Sequence, residues 1–222
     1  HFDPQIYRKT RGGGLQMKRR LKLSISSLWR VGSGKGSGPQ ADELVLRDAQ
    51  GLPFVPGRAL KGLLRDAMEL ASLSGSVAPE RITKLFGSAL PQPGKDQDQD
   101  QQMESGRFSS EEGELWIGSA KLPETWNRWV ESTSEEESFS ILSSLFTHVS
   151  STAIDANGVA AKHSLRVAEV AMPMDLGADI QGAPNDESWA EDIKKALPLL
   201  RALGSRRNRG YGRVDVTLEE VK

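Results

Sequence analysis

The feature that most constrains this chain is a glycine-rich loop at residues 203–213, LGSRRNRGYGR, which contains four arginines and no acidic residue. It follows an apolar helical run at residues 193–203 and precedes an alternating run at residues 214–218, so it predicts a helix-to-strand junction. Glycines let the backbone approach a ligand closely, and guanidinium groups donate paired hydrogen bonds to phosphate oxygens. The loop is therefore predicted to hold a nucleic-acid backbone. Its candidate binding side chains are Arg206, Arg207, Arg209, Tyr211 and Arg213.

The composition excludes several kinds of site. The 222 residues include no cysteine and only three histidines, His1, His148 and His163, which rules out disulfides and thiolate metal sites and disfavours a histidine-rich zinc site. No apolar run is long enough to span a bilayer and no secretory signal is visible, so we expect a cytoplasmic protein without a membrane partner. The net charge of −1 conceals an asymmetry, because residues 4–41 contain no acidic residue whereas acidic residues dominate residues 96–137. Such a basic region attracts polyanions.

The hydrophobic pattern predicts an α+β fold. Strands are predicted at residues 21–27, 44–47, 113–120, 165–172 and 214–218, and helices at residues 58–73, 81–86 and 188–203. Residues 139–149 fit either a helix or a strand. This order favours helices on one face of a mainly antiparallel sheet, with the split β-α-β-β-α-β topology of ferredoxin-like domains.

Two segments are predicted to lie outside this core. Residues 1–16 carry three consecutive glycines and little periodicity, which predicts a flexible N-terminal extension. Residues 91–110 are rich in Gln and Asp, which predicts a mobile insertion because such a tract cannot bury a core. Residues 17–222 are otherwise predicted to form a single domain.

Two nucleotide-binding motifs are matched only in part. A phosphate-binding Walker loop requires Ser or Thr after Gly-Lys, but Lys35 is followed by Gly36, so an NTPase is disfavoured. Residues 209–214 resemble part of the RNP1 signature of RNA-recognition motifs. That signature places base-stacking aromatics where Arg213 and Val216 stand here. The pattern therefore predicts contacts to an RNA backbone and not base stacking on the sheet.

Several motifs together resemble the RAMP superfamily of CRISPR-associated proteins. They are WRVGSG at residues 29–34, VLRD at 45–48, GLPFVPGRALKGLLR at 51–65, IDANGVAAKHSLR at 154–166 and the C-terminal glycine-rich loop. The stretch at 154–166 is similar to the superfamily's thumb hairpin, which we place at about residues 152–172. Chain length and motif order are most similar to the crRNA-binding backbone subunit of type III effector complexes.

The resemblance implies a modified ferredoxin-like, RNA-recognition-motif-like core with a thumb-like hairpin and inserted loops. It implies guide crRNA, target RNA, copies of the chain itself or homologous RAMP subunits, and other type III effector subunits as partners. In that family the thumb interrupts the guide–target duplex and target RNA is cut beside it. The acid associated with cutting maps to Asp42, with Glu43 as a possible substitute.

Physical reasoning also makes Asp42 a plausible catalytic residue. RNA carries its own nucleophile, the 2′-hydroxyl, so cleavage requires alignment, proton removal and charge neutralisation. A carboxylate can orient that hydroxyl or bind a divalent cation, Mg or Mn. The alternative is that Asp42 only caps the following strand or faces solvent.

Further basic residues are candidate RNA ligands. Arg58, Lys61 and Arg65 are spaced to share one helix face, where the alternative is an ordinary solvated face. The remaining candidates are Arg30, Lys35, Lys162, His163 and Arg166.

Three functions remain open from the sequence. The chain is a guide-RNA-binding backbone subunit that cleaves target RNA with Asp42, the same scaffold without cleavage, or a RAMP endoribonuclease that matures guide RNA with His163 or His148. The sequence therefore leaves open whether the protein is a metal-dependent enzyme.

Overall fold

The computed structural model describes residues 18–34, 42–88, 111–183 and 186–220. The predicted extension at residues 1–16, the whole of the predicted insertion at 91–110 and the candidate ligand Lys35 lie outside these ranges. Among the described residues no helix is long and apolar enough to cross a membrane.

The helices and strands are interspersed along the chain, with two pairs of consecutive helices and one run of three consecutive strands, as in an α+β domain. The strands are β1 Lys18–Ile25, β2 Trp116–Ile117, β3 Phe146–Ser151, β4 Arg166–Ala171, β5 Met174–Gln181 and β6 Val214–Glu220. The helices are α1 Gly57–Leu73, α2 Pro79–Phe86, α3 Glu124–Ser132, α4 Glu135–Ser144 and α5 Ser188–Ala196. Short 3-10 helices follow at Leu197–Leu199 and Arg207–Arg209.

The main sheet has the strand order β2-β5-β1-β6, with every neighbouring pair antiparallel. The first and last strands in sequence, β1 and β6, are therefore adjacent, with Ile25 opposite Val214. This arrangement matches the split β-α-β-β-α-β topology, in which α1 and α5 serve as the two crossover helices. The predicted ferredoxin-like α+β core is confirmed.

The core lies between one face of this sheet and the helices α1 and α5. The strands alternate strictly, so that Leu21, Leu23 and Ile25 of β1 are buried while the residues between them are not. The helix α1 buries a stripe with helical spacing, which includes Leu60 and Leu64. Packing on one face leaves the opposite face of the sheet polar, with ion pairs such as Lys18–Asp179 across neighbouring strands.

A two-stranded hairpin, β3 and β4, projects from this core between β2 and β5 in sequence. Its strands pair from Phe146 opposite Ala171 to Ser151 opposite Arg166. The loop between them, residues 152–165, turns at Asp155, whose carboxylate accepts hydrogen bonds from two backbone amides of the turn. The thumb-like segment predicted at residues 152–172 is thus the second half of a longer hairpin, and the first half is strand β3.

Trp29 anchors the base of the hairpin to the core. Its side chain is fully buried, and its indole Nε1 donates a hydrogen bond of 2.9 Å to the carbonyl oxygen of Met172. Its backbone exchanges two further hydrogen bonds with Ala171, of 3.0 and 2.7 Å. The orientation of the hairpin is therefore set by the WRVGSG segment that follows β1.

Trp29→Phe is expected to lower the free energy of unfolding by about 1–3 kcal/mol, because it leaves the Met172 carbonyl without its donor and opens a small cavity. Urea denaturation followed by circular dichroism measures the loss. Trp116→Phe is the matched control, since Trp116 is 55% exposed and the change should cost less than about 0.5 kcal/mol. Equal losses in the two variants would contradict the anchoring role.

Some elements differ from the sequence prediction. The strand predicted at 113–120 is regular only at Trp116–Ile117, and residues 44–47 form isolated bridges at Val45 and Arg47 without a ladder. The helix predicted at 188–203 ends at Ala196, since Pro198 lacks the amide that would continue it. Residues 139–149 contain both structures, the end of α4 and the start of β3. The strand β5 and the helix α3 were not predicted.

Candidate RNA-binding surface

The glycine-rich loop folds into a compact turn around the 3-10 helix Arg207–Arg209. Arg206 before it and Gly210 after it both have left-handed backbone conformations, with φ of 61° and 82°. The turn surrounds a shallow concavity of about 430 Å³ lined by Gly204, Arg206, Arg207, Asn208 and Arg209. Arg207 and Arg209 are exposed at its rim. A concavity of this size with arginines at its rim suits a phosphate group.

The loop is held against the segment that follows β1. The amide of Gly212 donates to the carbonyl of Leu28 at 2.8 Å, and the amide of Ser205 donates to the carbonyl of Arg30 at 2.8 Å. The Leu203 amide closes the loop by donating to the Gly212 carbonyl at 2.9 Å. The loop is therefore a fixed part of the core and not a free tether.

Arg30 connects the loop to the Asp42 segment. Its guanidinium Nε donates to Ser205 Oγ at 2.9 Å, and its Nη1 pairs with the carboxylate of Glu43. Arg30 is only 8% exposed. Its charge is thus already neutralised by an internal partner, and Glu43, the possible substitute for Asp42, is engaged in that pair.

Asp42 lies beside Val167, the second residue of hairpin strand β4. Its amide donates to the carbonyl of Val167 at 2.8 Å, and its carboxylate Oδ2 accepts a hydrogen bond of 2.8 Å from the amide of Val167. The side chain is exposed, and among the described residues Val167 is its only hydrogen-bond partner. The structure therefore places an exposed carboxylate beside Val167, near the end of the hairpin strands that leads into the loop at residues 152–165. Its Oδ2 is bound to the strand, and no described residue hydrogen-bonds to its other oxygen.

The loop also reaches the hairpin directly, because Arg206 Nη2 lies 3.5 Å from Ser151 Oγ at the end of β3. The loop, the Asp42 segment and the loop-side end of the hairpin strands are thus joined through Arg206 and through the Arg30–Glu43 pair. Together with the Arg30–Ser205 and Asp42–Val167 bonds, which join residues 175 and 125 positions apart, these contacts bring three separately predicted motifs to one place.

A groove of about 860 Å³ continues from the other side of the loop along β6. It is lined by three of the loop candidates, Arg207, Tyr211 and Arg213. It is also lined by Lys194 and Arg201, two cations that the sequence did not mark as candidates. The signal was present for Arg201, which stands two residues before the loop in a run without acidic residues. Lys194 is brought to the groove by the end of α5, and no local motif marks it.

The predicted basic face of α1 is largely engaged with the protein itself. Arg58 is exposed, but the Lys61 ammonium donates to the Leu115 carbonyl at 2.9 Å. Burial lowers the pKa of Lys61, with nearby Glu112 opposing the shift. Arg65 bonds to Glu69 Oε1 at 3.0 Å and to the Gly87 carbonyl at 3.3 Å. Any contact of Lys61 or Arg65 with RNA would compete with these bonds.

The three candidates on the hairpin, Lys162, His163 and Arg166, are all exposed near its tip or at the start of β4. His163 has a left-handed backbone conformation with φ of 59°. His148 is exposed on β3. Apolar side chains of the tip are also exposed, namely Ile154, Val159 and Leu165 at 62–64%. The tip therefore presents both cationic and apolar groups to a ligand.

Residues 18–34, 42–88, 111–183 and 186–220 contain no group of three or more His, Asp or Glu side chains that could hold a metal ion. Asp42 therefore does not belong to a preformed group of three such ligands in this part of the chain. A divalent cation bound there would take its other ligands from phosphate oxygens and water, which Mg²⁺ commonly does.

Comparison with known proteins agrees with this architecture. The chain is similar to a chain of the type III-B Cmr-β complex bound to cognate target RNA, with a TM-score of 0.63, 12% identity and coverage of 90% of this chain and 96% of that one. The apo Cmr-β complex contains a similar chain, with a TM-score of 0.60, 14% identity and coverage of 91% and 97%. The comparison with curated protein sequences finds no significant match. The sequence model of the RAMP superfamily matches residues 22–215, and the chain belongs to that superfamily.

Proposed function

We propose that this chain is a guide-RNA-binding subunit of a type III CRISPR effector complex and that it cleaves target RNA with Asp42. The observation that carries the proposal is the convergence of the arginine loop, the Asp42 carboxylate and the loop-side end of the hairpin strands through Arg206 and the Arg30–Glu43 pair. Membership of the RAMP superfamily and the likeness to Cmr-β chains support it.

In this proposal the loop and the groove hold the guide backbone. Arg207, Arg209 and Arg213 are exposed and point their charges to the loop concavity or the groove beside it. They recognise phosphates and so bind any guide sequence, as a subunit that serves many guides requires. The exposed cations of the hairpin, Lys162, His163 and Arg166, contact the duplex of guide and target.

Cleavage is inferred from the position of Asp42 beside hairpin strand β4. A hairpin inserted at the duplex distorts the target backbone, and the Asp42 carboxylate then orients a 2′-hydroxyl or accepts its proton as that oxygen attacks the adjacent phosphorus. The bond from phosphorus to the 5′-oxygen of the next nucleotide breaks, that oxygen leaves and takes a proton from water, and a 2′,3′-cyclic phosphate remains. A divalent cation, when bound, supplies charge neutralisation at that phosphate. The Asp42 carboxylate is suited to coordinate such a cation, because it is exposed and because only its Oδ2 is hydrogen-bonded to a described residue.

One observation favours a second candidate, a subunit that binds RNA without cutting it. The Asp42 carboxylate accepts the Val167 amide at the start of β4, which is the strand-capping role expected of a structural aspartate. Guide binding is common to both candidates, and cleavage separates them.

Replacing Arg207, Arg209 and Arg213 with alanine should weaken guide RNA binding about 10- to 100-fold at moderate salt. Each lost phosphate contact lowers the slope of log K against log salt by about 0.7 for single-stranded RNA, so the slope should fall by about 2. Fluorescence anisotropy with a synthetic single-stranded guide over a salt series measures both quantities.

The matched control replaces Lys121, Arg128 and Lys195, which are exposed cations outside the loop and the groove. This variant has the same net charge as the loop variant and should keep both affinity and slope within about twofold. If both triple variants weaken binding equally, only the overall charge matters and the loop is not the binding site.

A further inference from the structure

The Asp42 segment pairs with the outer edge of hairpin strand β4 through an isolated parallel bridge. The amide of Asp42 donates to Val167, the amide of Glu169 donates to the Glu43 carbonyl at 2.9 Å, and Glu43 makes a parallel bridge to Ala168. The hairpin strand β4 therefore pairs with β3 on one edge and with residues 42–43 on the other. The position of Asp42 is thus tied to β4.

Glu169 is the side chain that strengthens this pairing. It is a charged residue only 5% exposed, in the middle of β4. Its carboxylate Oε2 accepts the Val45 amide at 3.0 Å, and its Oε1 accepts Arg47 Nη2 at 2.5 Å. One buried carboxylate therefore binds both the backbone and a side chain of the segment that follows Asp42.

Arg47 extends the connection to the second hairpin strand. Its guanidinium carbon lies 3.7 Å from the centre of the Phe146 ring on β3, close enough for a cation–π contact. Arg47 thus bonds to β4 through Glu169 and packs on β3 through Phe146. Because a buried carboxylate is costly without its partners, this cluster favours a single arrangement of segment and hairpin.

We propose that Glu169 is a positioning residue for Asp42, which couples the carboxylate to the hairpin so that the two move together when the hairpin engages the guide–target duplex. The proposal rests on the proposed cleavage by Asp42. Glu169 is buried and 124 positions from Val45 in sequence, so it acts on RNA only through the segment it holds. Loss of the Glu169 bonds to Val45 and Arg47 would leave the phosphate-binding loop in place and displace the reacting carboxylate.

The effect is expected on the cleavage step and not on guide binding. A misplacement of about 1 Å lowers a rate about 100-fold. Glu169→Ala removes both bonds and should lower the single-turnover cleavage rate constant about 100-fold, with guide affinity within about twofold of wild type. Glu169→Gln keeps an oxygen that accepts the Val45 amide but loses the charge that pairs with Arg47, and should lower the rate constant less, by about tenfold.

The test combines single-turnover cleavage in the assembled, guide-loaded complex with amide hydrogen exchange of the purified chain. Glu131→Gln, at an exposed position on α3, is the control for loss of a carboxylate. In Glu169→Ala the Val45 amide should exchange at least about tenfold faster, while amides of α1 keep their wild-type rates. Recovery of most of the cleavage rate in Glu169→Gln relative to Glu169→Ala is the rescue expected of a positioning role.

The outcomes separate this inference from the proposed function. If Asp42→Asn is inactive but Glu169→Ala cleaves at the wild-type rate, Asp42 cleaves and Glu169 does not position it. If exchange accelerates equally in α1 and at Val45, Glu169 only stabilises the fold and the inference fails. If the wild-type complex does not cleave, the catalytic proposal for Asp42 fails and the positioning proposal fails with it. Faster exchange confined to residues 42–47 in Glu169→Ala would still show that Glu169 holds this segment against the hairpin.

Discussion

Gly212→Ala is expected to lower the free energy of unfolding by about 3–5 kcal/mol and to abolish RNA binding by the loop. Gly212 has φ of 66°, and a Cβ placed on it would lie 1.9 Å from the carbonyl oxygen of Leu203. The left-handed conformation alone costs an alanine about 1–2 kcal/mol. Relieving the clash would also break the bonds from Gly212 to Leu28 and from Leu203 to Gly212, so the loop loses its attachment to the core.

Two other glycines provide the matched controls. Gly210 has φ of 82°, but a Cβ on it would have no atom within 4 Å, so Gly210→Ala should cost only about 1–2 kcal/mol. Gly62 lies inside α1 with open space around it, so Gly62→Ala should stabilise by about 0.5–1 kcal/mol. Urea denaturation of the three variants, with anisotropy on the guide RNA, gives the comparison. A Gly212 variant no less stable than the Gly210 variant would show that the Leu203 contact does not constrain the loop.

The parts of the fold that the sequence predicts are those with strong local patterns. The alternation of β1 and the helical stripe of α1 are unbroken, and both elements lie where they were expected. Strand β5 also alternates, with Leu176, Ala178 and Ile180 buried. It was missed because aspartates and a glycine occupy the intervening positions, which is the composition of a loop. Only pairing with β1 and β2 makes this segment a central strand.

The candidate site, like the fold, has parts that the sequence predicts and parts that it does not. The glycine-rich loop is a local motif and its place between a helical segment and β6 was predictable. The engagement of Arg30 with Glu43 and of Lys61 with the Leu115 carbonyl was not, because these partners come together only in the folded chain. Glu169 carries no motif of its own. Its importance arises from Val45 and Arg47, more than 120 positions away.

Asp42→Asn is expected to reduce target RNA cleavage by about 100- to 10,000-fold, the usual contribution of a general base. The variant is close to isosteric, and its amide oxygen can still accept the Val167 amide that now bonds to Oδ2. The pairing of the Asp42 segment with β4 should therefore persist. Guide RNA affinity should stay within about twofold, since the arginine loop is unchanged. A loss of cleavage with intact guide binding assigns the carboxylate to the chemical step.

The neighbouring carboxylate supplies the discriminating control. Glu43→Gln weakens the pair with the buried Arg30, so it should lower stability while the cleavage rate constant of the folded complex falls less than about tenfold. Single-turnover cleavage of labelled target RNA in the guide-loaded complex, repeated over a Mg²⁺ series, measures both variants. If Glu43→Gln abolishes cleavage and Asp42→Asn does not, the reacting carboxylate is Glu43. If neither variant changes the rate, neither carboxylate performs the cleavage, and the exposed Asp42 carboxylate serves only to cap strand β4.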